Sequence, residues 1–154
     1  MRSNELKIAL VASAGGHLAQ LRALSDSWKG YAMFWITTTR VVHDSLRKEG
    51  CVYVVGECNR RHPFHVLPVL LRCMRAVARE KPSVVISTGA AAGCLTCFLA
   101  KLRGAKVVWI DSITNVKGIS LSGRMVRPIA DLFLVQWEDL AQEYSGTEFV
   151  GAVI

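Results

Sequence analysis

Hydrophobic residues along the chain follow two alternating rhythms. Short, nearly uninterrupted apolar runs occur at residues 8–11, 31–37 and 51–55, from Val84 onward, and at 106–110, 132–135 and 149–150. Runs of this kind, rich in β-branched and aliphatic residues, predict strands buried on both faces of a parallel sheet. Between them the spacing becomes helical. Leu18, Leu21 and Leu24 recur at intervals of three, and residues 41–49 predict a short helix closed by Gly50. A long helix follows, with Pro68 in an early turn, Arg72, Arg75 and Arg79 along one stripe, and Leu67, Leu70, Leu71, Met74 and Val77 on the other side. A helix with a small-residue start follows Gly89, and further helices are expected at 124–130 and 137–144, while 115–123 reads as a surface loop. The unbroken alternation predicts a single α/β domain over residues 1–154. Its architecture is a Rossmann-like, doubly wound parallel sheet with right-handed crossovers.

In such a sheet, ligands gather at the carboxyl edge, and two glycine-bearing loops are expected there. The first runs Ser13-Ala14-Gly15-Gly16 into His17, and the second is Ser87-Thr88-Gly89. Glycines allow close approach to the main chain, and a helix N-terminus presents unpaired N–H groups to an anion such as a diphosphate. Gly15-Gly16 can equally be no more than a tight βα turn. The glycines are adjacent, so the G-x-G-x-x-G dinucleotide fingerprint is absent and NAD binding is disfavoured. Arg40, in the polar loop after the second strand, is either solvated or close to an anionic ligand.

Charge adds an expected partner class. Net charge is +7; all nineteen Lys and Arg lie at or before Arg127, leaving +12 there against −5 beyond it. A basic body suits phospholipid, a diphosphate-bearing substrate or nucleic acid. Nucleic acid is not expected, because the interleaved aromatic and basic platform for single strands is missing. Arg60, Arg61, Phe64, Leu67, Leu70 and Leu71 place cations and bulky apolar groups around the start of the long helix, and residues 60–71 are expected to lie on an anionic bilayer. The rest of that helix is expected to cover the sheet with its apolar face.

Residues 1–5 lead into a short apolar run broken by polar and glycine residues, so no secretory leader is expected. The uncharged run 84–100 is divided by Ser87, Thr88, Gly89 and Gly93, so no transmembrane helix is expected either. Five cysteines, an odd number, are expected as reduced thiols in the cytoplasm. Cys94-Leu-Thr-Cys97 has metal-site spacing but lies in an apolar helical run without a second ligand pair. Neither metal nor cofactor is expected.

Three stretches together resemble a known family: Ser13-Ala-Gly-Gly-His-Leu18, Ser87-Thr-Gly89, and the long ordered block Asp111-Ser-Ile-Thr, Ser120-Leu-Ser-Gly-Arg124 and Ala130-Asp-Leu-Phe-Leu-Val-Gln-Trp137. The chain is similar to the acceptor-side half of split GT-B glycosyltransferases. These include the PssD-type exopolysaccharide subunits and the membrane-associated subunit of the UDP-GlcNAc transferase of dolichol-linked N-glycan assembly. More distantly, the chain resembles the N-terminal domain of MurG.

The resemblance implies half of an enzyme. A complete GT-B cleft has two Rossmann-like lobes, and this chain supplies one, ending where a linker to the second would begin. The UDP-sugar would be held by a partner subunit, and this chain would bind a polyprenyl-diphosphate-linked sugar acceptor from the inner face of the cell membrane. Eukaryotic members carry an N-terminal membrane anchor not seen in this sequence, so attachment is expected to be peripheral. In an inverting transfer, the acceptor hydroxyl gives up a proton as it attacks, and His17 and Asp111 are the candidate bases. Other roles stay open: His17 can cap or orient its loop, and Asp111 can orient the acceptor or cap a helix. Ser112 lies at the same edge, and Ser120, Ser122, Gly123 and Arg124 are candidates for contact with acceptor phosphate or with the partner chain. A non-catalytic scaffold that recruits the catalytic chain is the rival reading.

Overall fold

The computed structural model describes residues 6–58 and 63–153. Strands and helices alternate as β1 (Lys7–Ala12), α1 (Gly16–Ala23), β2 (Ala32–Thr37), α2 (His43–Leu46), β3 (Cys51–Val54), α3 (Val66–Glu80), β4 (Val84–Ser87), α4 (Ala90–Lys101), β5 (Lys106–Ile110), α5 (Leu121–Val126), β6 (Leu132–Val135), α6 (Glu138–Glu143) and β7 (Glu148–Phe149). Neighbouring strands all pair parallel in the order β3-β2-β1-β4-β5-β6-β7. The chain therefore winds outward twice from the middle, and its direction of travel reverses between β1 and β4. That reversal opens a crevice at the carboxyl ends of the two strands.

The period of two along β1 sorts the core into layers. Ile8, Leu10 and Ala12 pack with Leu18 and Leu21 of α1, Trp28, Trp35 and Leu46. Ala9 and Val11 point the other way, into a larger layer with Val69, Cys73 and Val77 of α3, Ala92 and Cys97 of α4, Trp109 and Phe133. The Trp109 and Phe133 rings stack with centroids 6.4 Å apart. Both cysteines of the C-x-x-C stretch belong to this layer; burial pushes the Cys94 thiol up to about 11 and the Cys97 thiol higher still. At neutral pH they are protonated packing groups, poor nucleophiles and poor ligands.

Three expectations about the elements are corrected. The helix expected over 41–49 is one 3₁₀ turn (Arg40–Val42) followed by four α-helical residues, because Leu46 alone is buried there and little packing is available to extend it. The helix expected over 124–130 begins earlier, at Leu121, inside the stretch read as loop. Ser120 starts it by accepting the Gly123 N–H at 2.9 Å on its hydroxyl, and Arg127–Ile129 closes it as a 3₁₀ turn.

Third, α3 carries two apolar stripes. Val69, Cys73, Ala76 and Val77 are buried, whereas Leu67 is 62% exposed and Leu71 and Met74 lie on the same outer face, with Phe64 90% exposed just ahead of the helix. Met74, expected to cover the sheet, therefore looks outward in line with Leu67 and Leu71, beside the exposed Arg72, Arg75 and Arg79.

At the amino edge, Asp131 ties β5 to β6. Its carboxylate accepts from Lys101 Nζ at 2.7 Å, Lys106 Nζ at 2.9 Å and the Val107 N–H at 2.8 Å. The Lys101 ammonium, the Val107 amide and the Lys106 ammonium hold its carboxyl well below the ordinary carboxylate value. A carboxyl depressed on folding contributes stability above its unfolded value of about 4 and loses it as pH falls below that. Asp131→Asn is thus expected to lower the melting temperature at pH 7, and the gap to the unmodified protein should narrow steadily as pH falls below about 4, as measured by thermal melts across pH.

Candidate functional site at the carboxyl edge

Val11 of β1 pairs with Ser87 of β4, so the loops that follow these strands leave the sheet side by side. Each turns directly into a helix through a glycine: Gly15 (φ 98°) precedes α1 and Gly89 (φ 138°) precedes α4, and neither helix has a side-chain cap. Two sets of first-turn N–H groups therefore converge on the crevice. Each lies at the positive end of a helix, an arrangement that favours an anion between them.

The two loops are latched together. Thr88 Oγ1 donates to the His17 carbonyl at 2.7 Å, and the imidazole of His17 lies against the bare face of Gly89. A Cβ on Gly89 would stand 2.5 Å from His17 Cε1 and 2.8 Å from Nδ1, so glycine is required there by contact as well as by backbone angle. His17 Nδ1 is enclosed and has no hydrogen-bond partner among the described residues. Ser87 and Thr88 are fully buried. Thr88 serves the latch, and Ser87 Oγ accepts the Gly89 N–H at 3.3 Å and shapes the turn, so both act within the protein. Ser13 lines a small cavity beside the crevice, and Gly15 and Gly16 have open space above them.

The other candidates form a separate cluster at the end of β5. Asp111 is 1% exposed and accepts four hydrogen bonds. Trp109 Nε1 (3.1 Å) and Ser120 Oγ (2.6 Å) donate to Oδ1, and Asn115 Nδ2 (3.0 Å) and the Ser120 N–H (2.9 Å) donate to Oδ2. Gly123 is packed so closely that a Cβ would come within 2.9 Å of both Asp111 Oδ1 and Ser120 Oγ. Ser112 Oγ bonds the Thr114 hydroxyl at 3.0 Å, and Arg124 Nε donates to the Ile119 carbonyl at 3.3 Å. Ser122 is half-exposed on the first turn of α5. The geometry makes Asp111 the clamp of the loop 112–120 and of the start of α5, with its acceptor capacity filled.

Period-two spacing places Trp109 and Asp111 on one side of β5, which makes that bond legible in sequence. The contact of His17 with Gly89 carries no comparable local signal. Thr38, Glu57 and Cys58, which share the Ser13 cavity, were not singled out by motif because they come from the ends of β2 and β3 and are far apart in sequence. Of the membrane-facing set, Phe64, Leu67 and Leu71 are exposed, Leu70 is half-buried, and Arg60 and Arg61 lie outside the described residues. No helix among the described residues is long and apolar enough to cross a membrane.

Solved structures with a similar fold include two of known identity. MurG from Acinetobacter baumannii superposes with a TM-score of 0.75 at 16% identity, covering 93% of this chain and 45% of that one. A UDP-GlcNAc 2-epimerase from Neisseria meningitidis superposes with a TM-score of 0.71 at 11% identity, covering 96% of this chain and 47% of that one. At such identities the likeness shows the fold, a Rossmann-like lobe matching about half of each neighbour.

In sequence, the UDP-N-acetylglucosamine transferase subunit alg14 of Schizosaccharomyces pombe is 47% identical over 62 residues, 39% of this chain and 30% of that protein. The mouse subunit is 32% identical over 84 residues, 51% and 39% respectively. The rat subunit aligns at 24% identity over 97% of this chain and 83% of its own length. The first two matches thus span well under half of those relatives. The family model described as "Oligosaccharide biosynthesis protein Alg14 like" matches residues 51–153, more than half of the sequence and the whole of the Asp111 clamp, and the chain belongs to that family.

Proposed function

We propose that this chain is the acceptor-binding half of a two-chain inverting glycosyltransferase. It would present a polyprenyl-diphosphate-linked saccharide to a UDP-sugar held by a separate donor-binding chain, in glycan or PssD-type polysaccharide assembly. The observation that carries the reading is the pair of uncapped helix N-termini, α1 and α4, converging at the sheet's point of reversal with His17 locked between them. The relatives' names as UDP-N-acetylglucosamine transferase subunits, and the match to about half of a MurG chain, support it.

In this reading the diphosphate sits on the first-turn N–H groups of Gly16, His17 and Ala90, Ala91, which face charge that a solvated side chain would screen less well. His17 is the base: its imidazole takes the proton of the acceptor hydroxyl as that oxygen attacks the anomeric carbon and UDP departs. Asp111 acts at one remove, by holding the loop 112–120. The testing experiment mixes the chain with a donor-binding partner, a UDP-sugar and a prenyl-diphosphate-linked sugar, and measures transfer. Transfer should require both chains; its absence for every UDP-sugar with the cognate partner overturns the reading. The scaffold alternative is favoured by one observation, the enclosure of Asp111, which leaves His17 of the two candidate bases. An unchanged rate for His17→Ala would leave only the recruiting role.

The outward stripe Phe64, Leu67, Leu71 and Met74 beside Arg72 and Arg75 supports docking on an anionic bilayer at the inner face of the membrane. Phe64→Ser with Leu67→Ser is expected to weaken co-sedimentation with vesicles containing anionic phospholipid about tenfold or more, since each side chain contributes on the order of 1–2 kcal/mol when it leaves water. The melting temperature should stay unchanged, as neither residue packs in the core.

A further inference from the structure

Next to the crevice is a cavity of about 160 Å³ lined by Ser13, Thr38, Glu57, Cys58 and Ala90–Ala92. It adjoins the proposed diphosphate site at both ends: Ser13 belongs to the loop before α1, and Ala90 is the first residue of α4. A group joined directly to a diphosphate on the two helix N-termini would reach it without a spacer.

The lining selects the kind of group. Ala90, Ala91 and Ala92 contribute a small, apolar part of the lining, and Ser13, Thr38 and Glu57 contribute residues bearing two hydroxyls and a carboxylate. Thr38 Oγ1 donates to Glu57 Oε1 across a long 3.5 Å, and Glu57 is otherwise exposed, so most of its acceptor capacity is open. A carboxylate here repels a further phosphate, and an isoprenoid chain would strip water from Glu57 and Thr38 without replacing its hydrogen bonds. Among the described residues, no group of three or more His, Cys, Asp or Glu is placed to hold a metal ion. A neutral ring with hydroxyls on its rim and C–H groups on its face suits both kinds of lining residue. Glu57 is also the carboxylate of the crevice that remains available, Asp111 being enclosed.

We propose that Glu57 is a specificity-determining residue that reads the first sugar of the acceptor: the ring attached to the diphosphate rests its C–H face on Ala90–Ala92 and donates hydroxyl hydrogen bonds to the Glu57 carboxylate, with Thr38 holding that carboxylate in place. The proposal rests on the acceptor-side reading above and names the part of the acceptor that this chain recognises.

Binding to the purified chain tests it, with farnesyl diphosphate as one probe and farnesyl diphosphate carrying one glucose or one N-acetylglucosamine as the others. The unmodified chain should bind at least one sugar-bearing probe fivefold or more tighter than farnesyl diphosphate. Glu57→Gln should abolish that increment while leaving farnesyl diphosphate binding and the melting temperature unchanged. Ala91→Leu, which adds bulk to the cavity lining, should abolish it as well. In the reconstituted pair, Glu57→Gln should raise the acceptor KM fivefold or more with little change in kcat. An increment that survives both substitutions, or tight farnesyl diphosphate binding with no increment for either sugar, overturns the proposal and leaves the acceptor-side reading standing. Failure of the chain to bind any of the three probes overturns the acceptor-side reading itself.

Discussion

Asp111→Ala is expected to destabilise the protein by about 3–5 kcal/mol, a large share of the 5–15 kcal/mol typical of a domain. The side chain accepts from Trp109, Asn115 and twice from Ser120 while almost wholly enclosed. Truncation leaves those donors facing one another in a site that the carboxylate had filled, and each buried unpaired donor costs about 1–3 kcal/mol, less whatever entering water recovers. At about 2–4 °C per kcal/mol for a chain of this size, the melting temperature should fall by roughly 10 °C or more. Asp111→Asn should recover only part of this, because its amide nitrogen meets two of the donors head on. Melting of the purified chain checks the point without any partner or substrate. A variant that melts with the unmodified protein would remove the clamp assigned to Asp111 and restore it as a candidate base.

For Gly89→Ala the expected loss is in turnover rather than in stability. Alanine at φ 138° is strained by about 1–3 kcal/mol, and its Cβ would stand 2.5 Å from His17 Cε1. The imidazole ring is the part able to yield, so the ring swings away while the sheet beneath is unaffected. With His17 as the proposed base, a displacement of about 1 Å costs on the order of a hundredfold in rate, and the proposed two-chain enzyme should show a fall of that size with a melting temperature only a few degrees lower. A double-mutant cycle makes the route explicit: if Gly89 acts by placing His17, then Gly89→Ala adds little further loss in a His17→Ala background. Full additivity, or unchanged turnover in Gly89→Ala alone, would separate the two residues and remove the placing role.

Legibility from sequence differed sharply between kinds of feature. β5 and β6 match their predicted limits, because strands buried on both sides read as short continuous apolar runs and each of these is bounded by charged or polar residues. The start of α5 was misplaced because 115–123 has glycines and little periodicity. Its cap, Ser120 with the Gly123 N–H, was nevertheless present as a serine three residues ahead of the bonded amide. Met74, expected on the sheet, falls on the outer stripe of α3 for a deeper reason. Leu67, Leu71 and Met74 repeat at helical spacing just as Val69, Cys73 and Ala76 do, and periodicity identifies an apolar face without saying which of two faces meets the sheet. That choice is made by the partners, α4 and β2, which lie elsewhere in the chain.

By itself, the sequence determined that this protein is a parallel α/β lobe with glycine loops at one edge, because those properties depend on local backbone freedom and on which short runs must leave water. It also specified the residue types from which an anion site and a membrane-facing stripe can be built. Only the tertiary structure decided their roles: that His17 rests on Gly89, that Asp111 is enclosed by Trp109, Asn115 and Ser120, and that Ser13 meets Glu57 across a cavity. Each of these is a contact between segments brought together by strand order. Strand order follows from how all the apolar faces are buried at once, a condition that no single stretch of the chain carries.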